Sequence, residues 1–261
     1  MRPITLITGA SSGIGAALAR VFAEHGHELV LLARREGRLA ALAEEIAAHG
    51  FTRPTVLSVD LERRDAVAHI TAELKARGLE PANVVNNAGF GLVGSAVSLN
   101  RDEELAMIDV NIRALTELSL AFVDSIARHR GGILNVASVA AFAPGPGMAV
   151  YFASKAYVLS FSEALHRELK RFGVKVTVLC PGPVPTEFQA RAGIKSNKAR
   201  SVLSLPAERV ARIGYRGFMR GKRVVVAGLA NQIAVLLMRV TPNALILAIT
   251  DQSGRMAARV S

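Results

Sequence analysis

The sequence predicts a doubly wound α/β fold, a parallel sheet of about seven strands with helices on both faces. Apolar, β-branched runs alternate along the chain with Ala-, Leu-, Glu- and Arg-rich segments of helical period. That alternation is the pattern of strands buried on both faces and joined by crossover helices. In addition, the first apolar run ends in a glycine-rich turn, Thr8-Gly9-Ala10-Ser11-Ser12-Gly13-Ile14-Gly15, that opens directly into a helical segment.

Strands are expected at residues 4–8, 28–33, 55–59, 83–86, 132–137, 175–179 and 223–227. Most are short runs rich in Val, Ile, Leu and Thr with polar or turn-forming neighbours. Helices are expected at 13–25, 37–49, 64–77, 101–129 and 153–172, where apolar positions recur with a period near 3.6. The β-α-β-α-β order of the first half is one half of a Rossmann-type dinucleotide fold, and a second half follows.

At 261 residues and 51% hydrophobic composition the chain has ample material for one large core. With no linker-like run, low-complexity tract or internal repeat, one domain over residues 1–261 is expected. Its core spans 4–227, a substrate-covering stretch 183–206, and an apolar extension 228–261. The single cysteine, Cys180, follows the apolar run 174–179, which makes it a buried strand-end thiol in a reducing compartment. The N-terminus leads straight into a strand without a signal-peptide layout, so a cytoplasmic protein is expected.

The net charge of +11 is spread over helix faces and loops, with no basic block and no aromatic interleaving. This argues against a nucleic-acid surface and for a solvated basic one that can attract anionic ligands. The segment 229–250 is apolar but interrupted by Asn231, Gln232, Arg239, Pro242 and Asn243. It falls short of the roughly 20 apolar residues a membrane span needs. A helix pair that covers substrate or packs a subunit is expected, with interfacial membrane attachment as the alternative.

The glycine turn lets the backbone bend sharply and approach a diphosphate, while the new helix start offers free N–H groups. Its Gly-x-x-x-Gly-x-Gly spacing is not the Gly-x-Gly-x-x-Gly fingerprint, so the turn alone does not name a dinucleotide. After the second strand, where an acid would meet a ribose 2′-hydroxyl, the chain reads Ala33-Arg34-Arg35. Arg34 there favours a 2′-phosphate, whereas Arg35 can equally begin a solvated helix. Asp60, at the end of the third strand, is either an acceptor for an adenine amino group or an N-cap. Tyr151 and Lys155, four residues apart, share one helix face, and a cation there draws a phenol down from its ordinary value. Ser138 ends the fifth apolar run and can face the start of that helix.

Thr8-Gly9-x-x-x-Gly13-x-Gly15, Asn86-Asn87-Ala88-Gly89, Asn111, Ser138, Tyr151-x-x-x-Lys155 and Pro181-Gly182 stand in one order. Together they resemble the short-chain dehydrogenase/reductase family, in its NADP-preferring, metal-free branch, from residue 4 to about residue 227. The resemblance implies that Tyr151 is the acid/base, that Lys155 lowers its pKa and holds the nicotinamide ribose, and that Ser138 orients the substrate oxygen. It further implies that Asn111 holds a water that links Lys155 to solvent; read from the residue alone, Asn111 would bond its own helix backbone. Gly9, Ser11, Ser12, Gly13, Ile14 and Gly15 would take the diphosphate, and Asn87, Ala88 and Gly89 the cofactor ribose. Pro181 and Gly182 would shape the turn beneath the nicotinamide, with Val184 and Thr186 at its carboxamide; Thr186 can also cap a short helix. The chain departs from many NADP-dependent relatives in having Ser12 where they carry a basic residue, so the preference would rest mostly on Arg34, with Ser12 as a hydroxyl donor to the phosphate.

These expectations amount to an NADP(H)-dependent enzyme that interconverts a carbonyl and a secondary alcohol on a small molecule, as a dimer or tetramer. The stretch 183–206 mixes Phe188, Ile194, Val202 and Leu203 with Arg191, Lys195, Lys198 and Arg200. That composition suits an apolar carbonyl compound, with the basic residues either meeting an anionic end or simply solvated. The competing readings are a catalytically silent nucleotide-binding protein, opposed by the intact Ser138, Tyr151 and Lys155, and a membrane-surface lipid-handling reductase. The six histidines are dispersed, so no metal centre is expected.

Overall fold

A computed structural model describes residues 1–193 and 203–248 of the chain. Seven parallel strands form one sheet in the order β3-β2-β1-β4-β5-β6-β7. In chain order they are β1 (Arg2–Thr8), β2 (Leu29–Ala33), β3 (Thr55–Ser58), β4 (Leu79–Asn86), β5 (Gly132–Val136), β6 (Lys175–Cys180) and β7 (Val224–Val226). Successive residues of each strand serve opposite faces. Leu6, Val30, Leu32 and Val84 pack into one core layer, while Ile7, Leu29, Leu31 and Val85 pack into the other. This is the doubly wound, Rossmann-type architecture that the alternating pattern predicted.

The helices include α1 (Gly13–Glu24), α2 (Glu36–Ala48) and α3 (Ala66–Ala76), close to their expected positions. Strand β4 begins four residues earlier than its apolar run, at Leu79. Pro81 lies where the β1 pairing shifts register between Ile4 and Thr5, a place that tolerates a residue without an N–H.

The single helix expected over 101–129 is broken. It runs as α4 (Arg101–Ile108), a π-helical turn (Asp109–Ala114), α5 (Leu115–Ala121) and α6 (Val123–Arg128). Hydrophobic periodicity reports which face is buried, not the size of the hydrogen-bonded ring, so it could not show the wide turn. That turn places Arg113 where it bonds Asp109 at 2.6 Å and the Glu62 carbonyl at 2.9 Å.

Helix α7 (Ala149–Leu169) starts four residues before its expected start, so Tyr151 lies in its first turn. After the short α8 (Glu187–Arg191) comes α9 (Ala207–Met219), a helix that the reading of the sequence missed. Its glycines are required by close approach to the sheet. A Cβ on Gly214 would come within 2.7 Å of the Leu179 side chain, and one on Gly217 would overlap Val225. Helix α10 (Leu229–Val240) and a helical stretch at 243–248 are separated at Pro242, as expected for a pair. Leu229, Leu236 and Val240 stand 72%, 64% and 73% exposed. Among the described residues no helix is long and apolar enough to cross a membrane. Cys180 is a free, fully buried thiol at the end of β6. Of the substrate-covering stretch, Ile194, Lys195, Lys198, Arg200 and Val202 lie outside the described residues, as does the extension beyond 248.

Candidate active site

Strand order reverses between β1 and β4, and in such sheets a crevice opens beyond the carboxyl ends of the strands at that point. Here the crevice is a cleft of about 680 Å³. Its walls include every residue given a catalytic or cofactor-binding role above except Gly15 and Asn111. Gly15 lies underneath, where a Cβ would overlap the Gly9 carbonyl and the Asn87 amide.

One end of the cleft is built from the β1–α1 turn. Gly9 and Gly13 have φ of +65° and +56°, the left-handed region that favours glycine. Asn87 donates to the carbonyls of Thr8 and Gly9 at 3.0 and 3.2 Å, and the Thr8 hydroxyl accepts from the amides of Asn87 and Ala88, both at 3.0 Å. The end of β4 is thereby tied to the glycine turn. Ser12 is the N-cap residue of α1, yet its side chain caps nothing in the helix and accepts from Arg35 at 3.1 Å. The first turn of α1 therefore carries N–H groups that no capping side chain claims, beside a concave, glycine-lined wall.

Arg34 turns toward the end of β3, pairing with Glu62 at 2.9 Å and lying 3.9 Å from Asp60. Asp60 accepts from the Glu62 amide at 3.1 Å; the N-cap of α3 is Asp65, so the capping alternative for Asp60 does not hold. Arg35 does begin a helix, as the N-cap residue of α2, and its side chain also reaches back to the hydroxyls of Ser11 and Ser12 at 3.0 and 3.1 Å.

The other end of the cleft holds Ser138, Tyr151 and Lys155. Ser138 follows β5 and accepts from the Ala140 amide at 3.1 Å, which leaves its own proton to donate. Lys155, 5% exposed, donates to the Val136 carbonyl at 3.1 Å. Asn111, fully buried in the π-helical turn, does not bond its own helix. Its amide donates to the Phe90 carbonyl at 2.9 Å and to Ser154 at 3.0 Å, and its oxygen accepts from the Phe90 amide at 3.1 Å. It thus holds the segment after Gly89 against α7. Pro181, Gly182 and Val184 line the floor, and Thr186 lines the wall while capping α8 through the Phe188 amide at 3.4 Å.

This donor set fits a dinucleotide: glycines that admit close approach, an uncapped helix start, two serine hydroxyls and two arginines at one end, and Ser, Tyr and Lys at the other. Residues 3–197 match the short chain dehydrogenase family. The chain belongs to that family. Sulfoacetaldehyde reductase 2 from Chromohalobacter salexigens is 41% identical over 194 residues, which cover 72% of this chain and 75% of the relative. A short-chain dehydrogenase from Sphingobium yanoikuyae, solved in complex with NADPH, superposes with a TM-score of 0.80 at 34% identity, covering 94% of this chain and 98% of its own. A short chain dehydrogenase/reductase from Burkholderia phymatum, solved in complex with NAD, gives 0.78 at 26% identity over 90% and 92% of the two chains. The protein is therefore an enzyme of this oxidoreductase family, whose fold binds a nicotinamide cofactor.

In this dehydrogenase the electrostatics of the tyrosine and lysine differ from the simple expectation. Burial pushes the Tyr151 phenol up to about 12, against a smaller downward pull from Ser138. Burial also brings the Lys155 ammonium down to about 8. The lysine points at a backbone carbonyl, its nitrogen 5.8 Å from the centre of the tyrosine ring, and desolvation of the phenol outweighs it.

Several residues take part in shaping the site in ways that the sequence reading did not give them. Phe188 packs against the Tyr151 ring at 5.4 Å. Arg191 stacks 3.9 Å over Phe90. Asn231, 1% exposed, sits against Gly182 and donates to the carbonyls of Leu203 and Ala227 at 3.0 and 2.7 Å, linking α10 to the cleft floor. Beneath the cleft, the Asn86 amide donates to Asn135 and the Asn135 amide to Ser162, each at 2.9 Å. Asn86 belongs to the Asn86-Asn87-Ala88-Gly89 motif, whereas the sequence signal for Asn135 and Ser162 was polarity among apolar neighbours.

Proposed function

We propose that this dehydrogenase interconverts a carbonyl and a secondary alcohol on a small molecule, using NADP(H), with Tyr151 as acid/base. One observation carries the reading: a single cleft joins the uncapped start of α1 and Arg35 at one end to Ser138 and Tyr151 at the other. The relative named as an aldehyde reductase agrees with carbonyl chemistry.

A bound dihydronicotinamide supplies the hydride in the reducing direction. Tyr151, protonated at neutral pH, gives its proton to the carbonyl oxygen as negative charge develops there. Ser138 donates a hydrogen bond to the same oxygen from a position fixed by the Ala140 amide. The Lys155 cation stabilises the phenolate left behind and would hold ribose hydroxyls of the cofactor. Asn111 fixes the backbone of Phe90 and, through Ser154, the first turns of α7. At the far end, Ser11, Gly13 and Ile14 would receive the diphosphate. Arg34 and Arg35, with the Ser12 hydroxyl, would hold the 2′-phosphate, and Asp60 the adenine. In the oxidative direction the same residues act in reverse, and Tyr151 accepts the alcohol proton.

The test is a panel of aldehydes, ketones, quinones, steroids and 3-ketoacyl thioesters, followed by consumption of NADPH and, in parallel, NADH. Turnover with NADPH on at least one class is expected. No turnover with either nucleotide, in a protein that binds both, would favour the silent nucleotide-binding alternative. Equal efficiency with NADH would remove the assignment to NADP(H).

A further inference from the structure

The anion-recognition end of the cleft already holds an anion of the protein's own. Glu187, the first residue of α8, pairs through one carboxylate oxygen with Arg35 at 2.8 Å and through the other with Arg38 at 3.2 Å. Arg35 simultaneously bonds the Ser11 and Ser12 hydroxyls. Arg35 above all, with Ser12 and Arg38 adding to it, holds the Glu187 carboxyl below the usual carboxylate range. Two guanidinium groups converging on one carboxylate, one of them also bonded to the Ser11 and Ser12 hydroxyls, make the arrangement that recognises a phosphomonoester.

We propose that Glu187 is an internal competitor for the 2′-phosphate of NADP(H), occupying Arg35, Arg38 and Ser12 until the phosphate displaces it. The inference rests on the NADP(H) reading above and adds Arg38 and Glu187 to it. A phosphomonoester carries about −1.5 to −2 charges at neutral pH against −1 for the carboxylate, so it wins the shared cations. A nucleotide ending in a 2′-hydroxyl offers them no charge and leaves Glu187 in place. Glu187 therefore weakens binding of the phosphorylated nucleotide selectively and sets how strongly the enzyme discriminates between the two. Its displacement also frees the first residue of α8, whose neighbour Phe188 rests on the Tyr151 ring.

Calorimetric titration with adenosine 2′,5′-bisphosphate and with 5′-AMP, on the wild type and Glu187→Gln, tests this without turnover. Releasing two exposed ion pairs is expected to tighten the bisphosphate about fivefold and to leave 5′-AMP unchanged. In the wild type, the bisphosphate and not 5′-AMP should alter amide hydrogen exchange across Glu187–Arg191, a readout that does not depend on the variant folding. If the wild type prefers the bisphosphate but Glu187→Gln gains nothing, or gains equally for both ligands, the competitor role is overturned and the NADP(H) reading stands. Unchanged exchange at α8 on bisphosphate binding overturns it too. A wild type that binds both ligands equally overturns the NADP(H) reading and this inference with it.

Discussion

Lys155 and Tyr151 share one face of α7, the lysine nitrogen lying 5.8 Å from the centre of the tyrosine ring while donating to the Val136 carbonyl. Burial drives the two groups in opposite directions, the phenol up to about 12 and the ammonium down to about 8. The pair is thus set to deliver a proton at neutral pH, and it supports separate tests of chemistry, pH dependence and stability.

Tyr151→Phe removes the proton and keeps the ring that packs on Phe188. Turnover is expected to fall about 10²- to 10⁴-fold. NADPH affinity, measured by fluorescence titration, should stay close to that of the wild type. A variant with near-wild-type turnover would exclude Tyr151 as the acid.

The pH profile of reduction should be flat below neutrality, where both groups are protonated. It should decline as pH passes about 8, because a neutral Lys155 no longer stabilises the phenolate. Alcohol oxidation should rise with pH, since it needs Tyr151 without its proton. The profiles of kcat in the two directions check this, and parallel profiles would contradict it.

Lys155→Met should stabilise the fold at neutral pH while abolishing activity. The folded-state value near 8 lies below the ordinary lysine value of 10.5, so the buried ammonium costs about 3 kcal/mol wherever it must be charged. The lost bond to Val136 gives back about 1 kcal/mol. The wild type's handicap is fully present below pH 8, shrinks as pH rises from 8 to 10.5, and is gone above it. Denaturant melts at pH 7 and pH 10 read the difference, and a gap that widens with pH would contradict the sign.

Arg35→Ala should weaken NADPH about tenfold, the loss of a charge-assisted hydrogen bond, and leave NADH nearly unchanged. Arg34→Asp should move preference toward NADH, because it places an acid at the end of β2. Parallel titrations with the two nucleotides check both variants.

Gly217→Ala tests the helix that went unread. Alanine favours a helix by about 1 kcal/mol, yet here its Cβ would overlap Val225, and overpacking costs about 1–3 kcal/mol. A net loss of stability is expected, visible as a lower melting temperature. A rise would mean that β7 yields easily.

The frame of the site was legible because it depends on local rules. The glycine turn, the strand ends bearing Ser138 and Asn87, and the four-residue spacing of Tyr151 and Lys155 all follow from strand and helix periods. Helix α9 was legible in principle: Val210, Ala211, Gly214, Tyr215 and Phe218 recur at helical spacing behind Pro206. Its glycines read as breakers because their purpose, contact with Leu179 and Val225, lies across space.

The sequence by itself determined the doubly wound architecture and the cleft at its switch point, since burial of alternating apolar faces leaves few other arrangements. It also set which residues stand just beyond the strand ends at that cleft, Asn87 and Ser138 among them. Only the tertiary structure decided which partner each polar group takes. Arg34 turned to Glu62, Arg35 to the serines and Glu187, and Asn111 to Phe90 rather than to its own helix. Several acceptors compete for each donor, and the choice rests on distances between elements far apart in the chain. For the same reason Tyr151 and Lys155 carry shifts that spacing could not give: desolvation is a property of everything packed around a group.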